Sequence, residues 1–79
     1  MTFPLYIDVA LSRDLPEYRL RRGDLLRLVE HHVAPDGEEG YSAEVLGAKG
    51  QTLAVVAVAA KAVEALRDDE VLSVRAIAV

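Results

Sequence analysis

The chain lacks cysteine and tryptophan altogether, and its only aromatic residues are three tyrosines and one phenylalanine. Without cysteine it can form neither a disulfide framework nor a thiolate zinc site. This absence is consistent with the reducing environment of the cytoplasm. The scarcity of aromatic side chains also leaves little on which nucleic-acid bases could stack.

Long apolar runs are missing as well. The longest, Leu53 to Ala60, has eight residues, far short of the roughly 20 that a membrane-spanning helix needs. The first stretch, MTFPLYIDVALS, has no basic region and carries Asp8 within its apolar part, unlike a signal peptide. We therefore predict a cytoplasmic protein without a membrane segment.

What remains is a small and strongly apolar chain. Its 79 residues suffice for a single domain, residues 1–79, and 52% of them are hydrophobic, mainly valine, leucine and alanine. A chain of this size buries only roughly 60–65% of its unfolded surface. The apolar content exceeds what a small monomer needs, which favours a homo-oligomer or a stable protein partner.

The charges are unevenly distributed around a formal net charge of −4. Residues 13–27 hold five of the nine basic residues and only three of the thirteen acidic ones. The five are Arg13, Arg19, Arg21, Arg22 and Arg27. Because a nucleic-acid-binding domain normally presents a broad basic face, one basic loop on an acidic body disfavours nucleic acid as a partner.

Alternating or uniformly apolar segments predict five strands. They are Tyr6–Leu11, Asp24–Val33, Tyr41–Gly47, Thr52–Val58 and Val71–Val79. The second would also fit a helix, but the turn residues around it favour a strand, and leucines on both faces predict a β-bulge. Asp36-Gly37 predicts a hairpin turn. The fourth, apolar on both faces, predicts a covered strand.

Between the last two strands, Ala59–Glu70 changes to a helical period. Val63 and Leu66 share one side and alanine adds helix propensity, which predicts a short helix of about two turns. In the strand that follows, we expect the single charge, Arg75, to point outward. These elements predict a mainly β fold, a small five-stranded SH3-like barrel with one short helix before the last strand. The alternative is an α+β sheet with the helix, residues 59–67, on one face.

Two stretches resemble a known family. DVALSRDLPEYRLRRGDLLRLVE, followed by YSAEVLGAKGQTLAVVAV, is similar to small bacterial proteins grouped as domain of unknown function 4926. The residues that fit the family's pattern are Asp8, Val9, Ala10, Leu11, Asp14, Leu15, Pro16, Glu17, Leu20, Gly23, Val29, Glu30, Gly50 and Thr52. Leu26 departs from it, because the family has glycine there, and the C-terminal segment is longer than the usual ending.

The resemblance implies an SH3-like barrel and a bacterial, soluble protein without enzymatic activity. The family has no assigned function. The resemblance also hints at an antitoxin-like or immunity-like role, in which the protein acts on a neighbouring protein.

The loop DLPEYRLRRGD, Asp14 to Asp24, is the candidate partner-binding site. Tyr18 offers a rigid anchor. Arg19, Arg21 and Arg22 offer planar donors for the carboxylates of a protein partner.

The same loop also has a structural interpretation, which we favour. Asp14 and Glu17 would cap local turns, while the arginines would simply be solvated. Leu15 and Leu20 would fix the loop to the core. The two interpretations differ in what a charge reversal of the arginines would do to partner binding.

No catalytic, metal-binding or cofactor-binding constellation is found in the sequence. His31 and His32 are adjacent in a predicted strand, so they point to opposite faces and cannot chelate one metal together. There is no nucleophile elbow and no glycine-rich phosphate loop. We therefore expect no enzyme activity, no metal, no cofactor and no small-molecule ligand.

The function that we predict is that of a non-catalytic protein–protein interaction module, which binds a protein partner or a second copy of itself. The apolar strands Thr52–Val58 and Val71–Val79 would supply a self-association face unless the helix covers them. The alternative is an SH3-like nucleic-acid-binding module, for which the arginine cluster of residues 13–27 speaks.

Overall fold

The computed structural model describes residues 3–77, which form one antiparallel sheet. Its strands are β1 (Asp8–Leu11), β2 (Leu25–Val33), β3 (Glu39–Leu46), β4 (Thr52–Ala59) and β5 (Val63–Ala65). Their order across the sheet is β4-β3-β2-β1-β5, so β4 and β5 form its edges. The prediction of a mainly β domain with five strands is confirmed, while the closer description as an SH3-like barrel stays a prediction.

The hydrophobic core follows from the alternation of side chains along the strands. Tyr41, Ala43 and Val45 of β3 are buried, and the residues between them are not. The buried cluster consists of Val9, Leu11, Leu20, Leu26, Leu28, Tyr41, Ala43, Val45, Val56, Val58 and Val63. Every member of this cluster lies between β1 and β5, so these strands and the loops that join them supply the main core.

The middle strand β2 contains the predicted bulge. Its pairing with β3 shifts between Leu28 and Glu30, which lets apolar residues on both faces be accommodated in one strand. Leu26, at which the sequence departs from the pattern that it otherwise resembles, is fully buried and pairs with Val9 and Val45 on the neighbouring strands. The leucine therefore has the side-chain pocket that it needs.

The predicted hairpin turn between β2 and β3 is confirmed. Gly37 adopts a φ of 87°, a left-handed conformation that glycine reaches without steric cost. The Asp36 side chain accepts a hydrogen bond from the Glu38 N–H at 2.9 Å, and the Ala34 N–H donates to the Glu38 carbonyl at 2.8 Å.

The predicted helix before the last strand is much shorter than two turns. It is a single 3-10 turn, Ala60–Ala62, and β5 follows at once. Val63 pairs with Leu11 of β1 and is buried in the core, so pairing across the sheet overrides the helix propensity of the alanine-rich segment. The prediction of a last strand over Val71–Val79 is wrong for residues 71–77, which have no regular structure, and residues 78–79 lie outside the described part.

The alternative α+β arrangement is also wrong, because residues 3–77 contain only two single 3-10 turns, Pro16–Tyr18 and Ala60–Ala62, and no α-helix. In this part of the chain no helix has the length and apolar character required to cross a membrane.

The fourth strand is not covered, contrary to the prediction from its apolar sequence. It lies at an edge of the sheet, and of its eight residues only Val56 and Val58 are buried. The side chains of Leu53 and Val55 are exposed, Val55 by 64%. Since the predicted helix does not form, the outer face of β4 lacks the cover that was expected.

Candidate functional site

The candidate binding loop, which runs from Asp14 to Asp24 between β1 and β2, is a well-defined structure. Leu15 and Leu20 exchange two backbone hydrogen bonds, at 2.9 and 3.1 Å. Between them Pro16 begins a 3-10 turn, for which its fixed φ is suited, and Arg19 ends the turn with a φ of 60°.

Acidic and apolar side chains hold the loop in place, as the structural interpretation predicts. The Asp14 carboxylate accepts the Arg22 N–H at 2.9 Å, and Asp24 accepts the Arg21 N–H at 2.8 Å. Leu20 is buried and Leu15 packs against the core. Glu17, the other predicted cap, lies exposed in the 3-10 turn.

The predicted site residues lie within five consecutive positions of this loop. Tyr18, Arg19, Arg21 and Arg22 are all exposed. Among residues 3–77, none of the three guanidinium groups has an ion-pair or hydrogen-bond partner. Among the described residues, the loop therefore presents three arginines without a direct side-chain partner, of which Arg21 attracts the Asp24 carboxylate only over a longer distance.

One arginine that was expected to point outward does the opposite. Arg75 reaches back to the loop, where its Nε donates to Asp24 Oδ1 at 3.1 Å and its Nη2 donates to Asp24 Oδ2. Nη2 also donates to the carbonyl of Arg19 at 3.4 Å. The side chains of Arg75 and Asp24 are only 27% and 20% exposed. Their separation in the sequence gives no signal from which this pair could have been predicted.

The Asp24–Arg75 pair changes the acidity of both groups. Burial by itself would raise the pKa of Asp24, but the hydrogen bonds from Arg75 and from the Arg21 N–H, together with the positive charges of these two arginines, outweigh it, so this pKa lies below its ordinary value. The carboxylate in turn raises the pKa of Arg75, against the smaller effect of desolvation. Asp24 therefore serves as a charged acceptor between the loop and the C-terminal segment.

A groove of about 430 Å³ separates the C-terminal segment from the sheet. Its aliphatic lining includes Leu20, Leu25, Leu46 and Leu53 on the side of the sheet, and Leu72 and Ile77 on the side of the segment. Asp24 and Arg75 also line it. The groove thus combines an apolar wall with two paired carboxylates, because Asp8, paired with Arg27, also lines it.

The edge strand β4 is the second surface of interest. Thr52–Ala59 contains no charged residue and no proline, and Leu53, Val55 and Ala57 are exposed. Its pairing with β3 is regular from Ala54 to Ala59, and the register shifts only at the end near Leu46. The other long edge of β4 has no strand beside it within residues 3–77.

The two histidines lie on opposite faces of β2, as predicted. His31 pairs with the buried Tyr41, and their rings are 5.2 Å apart. His32 Nε2 lies 2.7 Å from the Ser42 hydroxyl oxygen. No group of three or more metal-ligating side chains comes together within the described residues 3–77.

The sequence profile of one family, described as a domain of unknown function (DUF4926), matches residues 5–65. The matched region contains all five strands and ends at the last residue of β5. No curated protein and no solved structure matches the chain. Because the match covers well over half of its length, this chain belongs to the DUF4926 family.

Proposed function

We propose that this protein is a non-catalytic protein–protein interaction module, and that its first partner is a second copy of the chain, bound through β4. The observation that carries the proposal is the exposed and uncharged edge strand Thr52–Ala59. The non-catalytic part rests on the residue inventory, which offers neither a nucleophile elbow nor a phosphate-binding loop.

Exposed edges of this kind are normally protected. Edge strands tend to be short, or carry lysine, proline or a bulge, because their free N–H and C=O groups otherwise pair with another chain. β4 has eight residues and neither charge nor proline. Its one irregularity lies at the end near Leu46, which leaves Ala54–Ala59 suited to strand pairing.

A second copy is the occupant that suits this edge. Two β4 strands can pair antiparallel about a two-fold axis, so that the same surface serves on both sides. No charges would repel across such a pair, because Thr52–Ala59 has none. Main-chain hydrogen bonds would supply affinity, and the exposed Leu53 and Val55 would come into cross-strand contact with the partner's apolar side chains.

The loop with Tyr18, Arg19, Arg21 and Arg22 is the proposed surface for a different protein. Its unpaired guanidinium groups favour a partner that presents carboxylates. An antitoxin-like or immunity-like role towards a neighbouring protein belongs to this part of the proposal. Charge reversal of Arg19 and Arg21 should abolish the capture of such a partner, and unchanged capture would contradict it.

Nucleic-acid binding is a second candidate, favoured by the same three unpaired arginines. It competes with an acidic remainder, since ten of the thirteen acidic residues lie outside positions 13–27. A gel shift at low salt separates the candidates, because phosphate contacts weaken steeply as salt rises. Absence of binding at low salt would remove this candidate and leave the protein-binding one.

The proposal is tested by sedimentation velocity over a wide concentration range. We expect reversible self-association of the natural chain and a monomer for Val55→Lys, because like charges would face each other across the paired strands. Val33→Lys is the matched control, since Val33 is 60% exposed, nearly the same as Val55 at 64%. Val33 is the last residue of β2, which β3 separates from β4, so it lies outside the proposed interface. This variant should associate like the natural chain.

Two results would overturn self-association through β4. The first is a natural chain that stays monomeric at every concentration. The second is a Val55→Lys variant that associates as well as Val33→Lys.

A further inference from the structure

The segment that follows β5 lies outside the residues matched by the family, but in space it folds back against them. The match ends at Ala65, and a turn follows in which the Glu70 N–H donates to the Arg67 carbonyl at 3.1 Å. Beyond this turn the chain runs without regular structure along the groove described above. The family domain thus carries its own added segment, residues 66–77, across its surface.

The burial of this segment alternates over its last four described residues, 74–77, whereas residues 66–73 are all exposed. Arg75 and Ile77 are half-buried, whereas Val74 and Ala76 are exposed, Val74 by 89%. Alternation with a period of two is what an extended peptide shows when one side faces a binding surface. Arg75 binds Asp24 and Ile77 packs against the core, so these two side chains attach the segment.

Only a small part of this apolar segment is in contact with the sheet. Val71 and Leu72 are exposed together with Val74, and a groove of about 430 Å³ remains between the segment and the apolar wall. Much of the available apolar surface on both sides is therefore not in contact. A peptide that filled the groove better would compete for the same site.

We propose that this groove is a recognition site for an extended peptide of the form arginine, any residue, aliphatic residue, and that residues 70–77 occupy it in cis. Asp24 binds the guanidinium in a bidentate manner, the geometry that distinguishes arginine from lysine. The Arg19 carbonyl accepts a further hydrogen bond. The aliphatic side chain two positions later lies on the same side of an extended peptide, where Ile77 now packs.

This site shares Leu53 with the self-association surface proposed for β4, but no other residue of that strand lines the groove. Val55 does not line the groove, and the peptide needs no free strand edge. A natural chain that is monomeric would overturn the β4 proposal and leave this one intact, and failure of the peptide experiment would leave the β4 proposal intact.

If residues 70–77 occupy the groove, they should compete with a free peptide for it. A tethered segment acts at an effective concentration on the order of millimolar, so the free site is a minor population and a peptide in solution binds with reduced apparent affinity. Release of the segment should therefore strengthen the binding of a free peptide. Arg75→Glu releases it by placing a carboxylate against Asp24.

The experiment titrates the full chain into a labelled peptide with the sequence of residues 70–77, EVLSVRAI, and follows fluorescence anisotropy. We expect the Arg75→Glu chain to bind at least about tenfold more tightly than the natural chain. Arg67→Glu is the control, because within residues 3–77 the Arg67 side chain forms ion pairs only with Asp69 and Glu70 of the exposed turn. It should behave like the natural chain.

A change in the peptide alone keeps the test independent of folding. The peptide EVLSVEAI, in which Arg75→Glu is made in the peptide, should not bind the released chain, because two carboxylates would meet at Asp24. Equal binding of EVLSVRAI and EVLSVEAI would overturn the proposal, as would equal affinity of the natural and Arg75→Glu chains for EVLSVRAI. If the segment of a second copy fills the groove instead, Arg75→Glu would lower the sedimenting mass, which would overturn the assignment in cis.

Discussion

Asp24 connects three parts of the molecule through one carboxylate. It accepts the Arg21 N–H within the loop, it binds Arg75 of the C-terminal segment, and its own N–H donates to the Arg21 carbonyl at 3.0 Å. Asp14, at the other end of the loop, accepts the Arg22 N–H and forms no ion pair with an arginine among residues 3–77. The two aspartates therefore form a natural comparison for the effect of a charged partner.

This difference predicts a specific dependence of stability on pH. The pKa of Asp24 is lower in the folded protein than its ordinary value, about 3.9 in an unfolded chain. Its stabilising contribution is thus fully present above about pH 3.9 and is lost as the pH falls through the lower pKa of the folded state. Arg75→Ala should reduce this acid-dependent loss, since the largest of the pKa-lowering interactions is gone.

Urea unfolding between neutral pH and pH 3 measures this effect. The difference in the free energy of unfolding between the natural chain and Asp24→Asn should shrink as the pH falls below about 4. Asp14→Asn provides the control for loss of a loop cap without loss of an arginine partner. A difference that stays constant over the whole pH range would show that Asp24 is not held ionised by Arg75.

At the scale of elements, the sequence predicts which segments form strands better than it predicts which strands lie side by side in the sheet. The alternation in β3 and the Asp36-Gly37 turn are local signals, and both are confirmed. The segment around Val63 is different, because its partner Leu11 lies more than fifty residues away and the local alanine content favours a helix. No local pattern reveals that β4 stands at an edge, because edge position depends on the order of strands in the sheet.

The candidate site likewise has one part that the sequence predicts and one part that it does not. That Tyr18, Arg19, Arg21 and Arg22 lie together on one loop follows from their adjacency in the sequence. The groove and the Asp24–Arg75 pair do not, since they depend on where an irregular C-terminal segment returns in space. The sequence predicts a strand there, because the segment is rich in β-branched residues whether or not a neighbouring strand is available.

Two glycines at the ends of β3 allow a test of whether the sheet can accommodate an added methyl group. A Cβ on Gly40 would lie 2.9 Å from the backbone carbonyl oxygen of Val58, whereas the three atoms nearest to a Cβ on Gly47 all belong to the side chain of Gln51. Backbone paired in a ladder cannot move without loss of several hydrogen bonds, whereas the exposed Gln51 side chain can rotate away at the loss of one, which it accepts from the Lys49 N–H at 3.1 Å. Gly40→Ala should therefore cost about 1–3 kcal/mol, as overpacking does, and Gly47→Ala clearly less.

Urea unfolding of the two variants measures this difference directly. Both changes remove the same glycine flexibility from the unfolded chain, so the comparison isolates the contact in the folded state. Equal destabilisation by Gly40→Ala and Gly47→Ala would mean that the β3–β4 ladder near Val58 adjusts as easily as a surface side chain.

At the scale of the whole molecule, the core and the added segment differ in what they contribute. The buried cluster lies entirely between Val9 and Val63, within the part that matches the family. From residues 66–77 only Ile77 packs against this cluster. The five strands therefore should hold together without the C-terminal segment, although a domain of this size has little stability to spare.

A chain ending at Ala65 tests this division. It should retain the circular dichroism of a β protein and a cooperative urea transition, with a loss of about 1–2 kcal/mol for the partial burial of Ile77 and a smaller additional loss from the absent Asp24–Arg75 pair. A chain ending at Ala62 is the control, because it lacks β5, removes Val63 from the core and leaves β1 as an unprotected edge. We expect this shorter chain to be unfolded. If the chain ending at Ala65 were unfolded as well, residues 66–77 would be part of the fold itself, and the groove could not be vacated by release of its occupant.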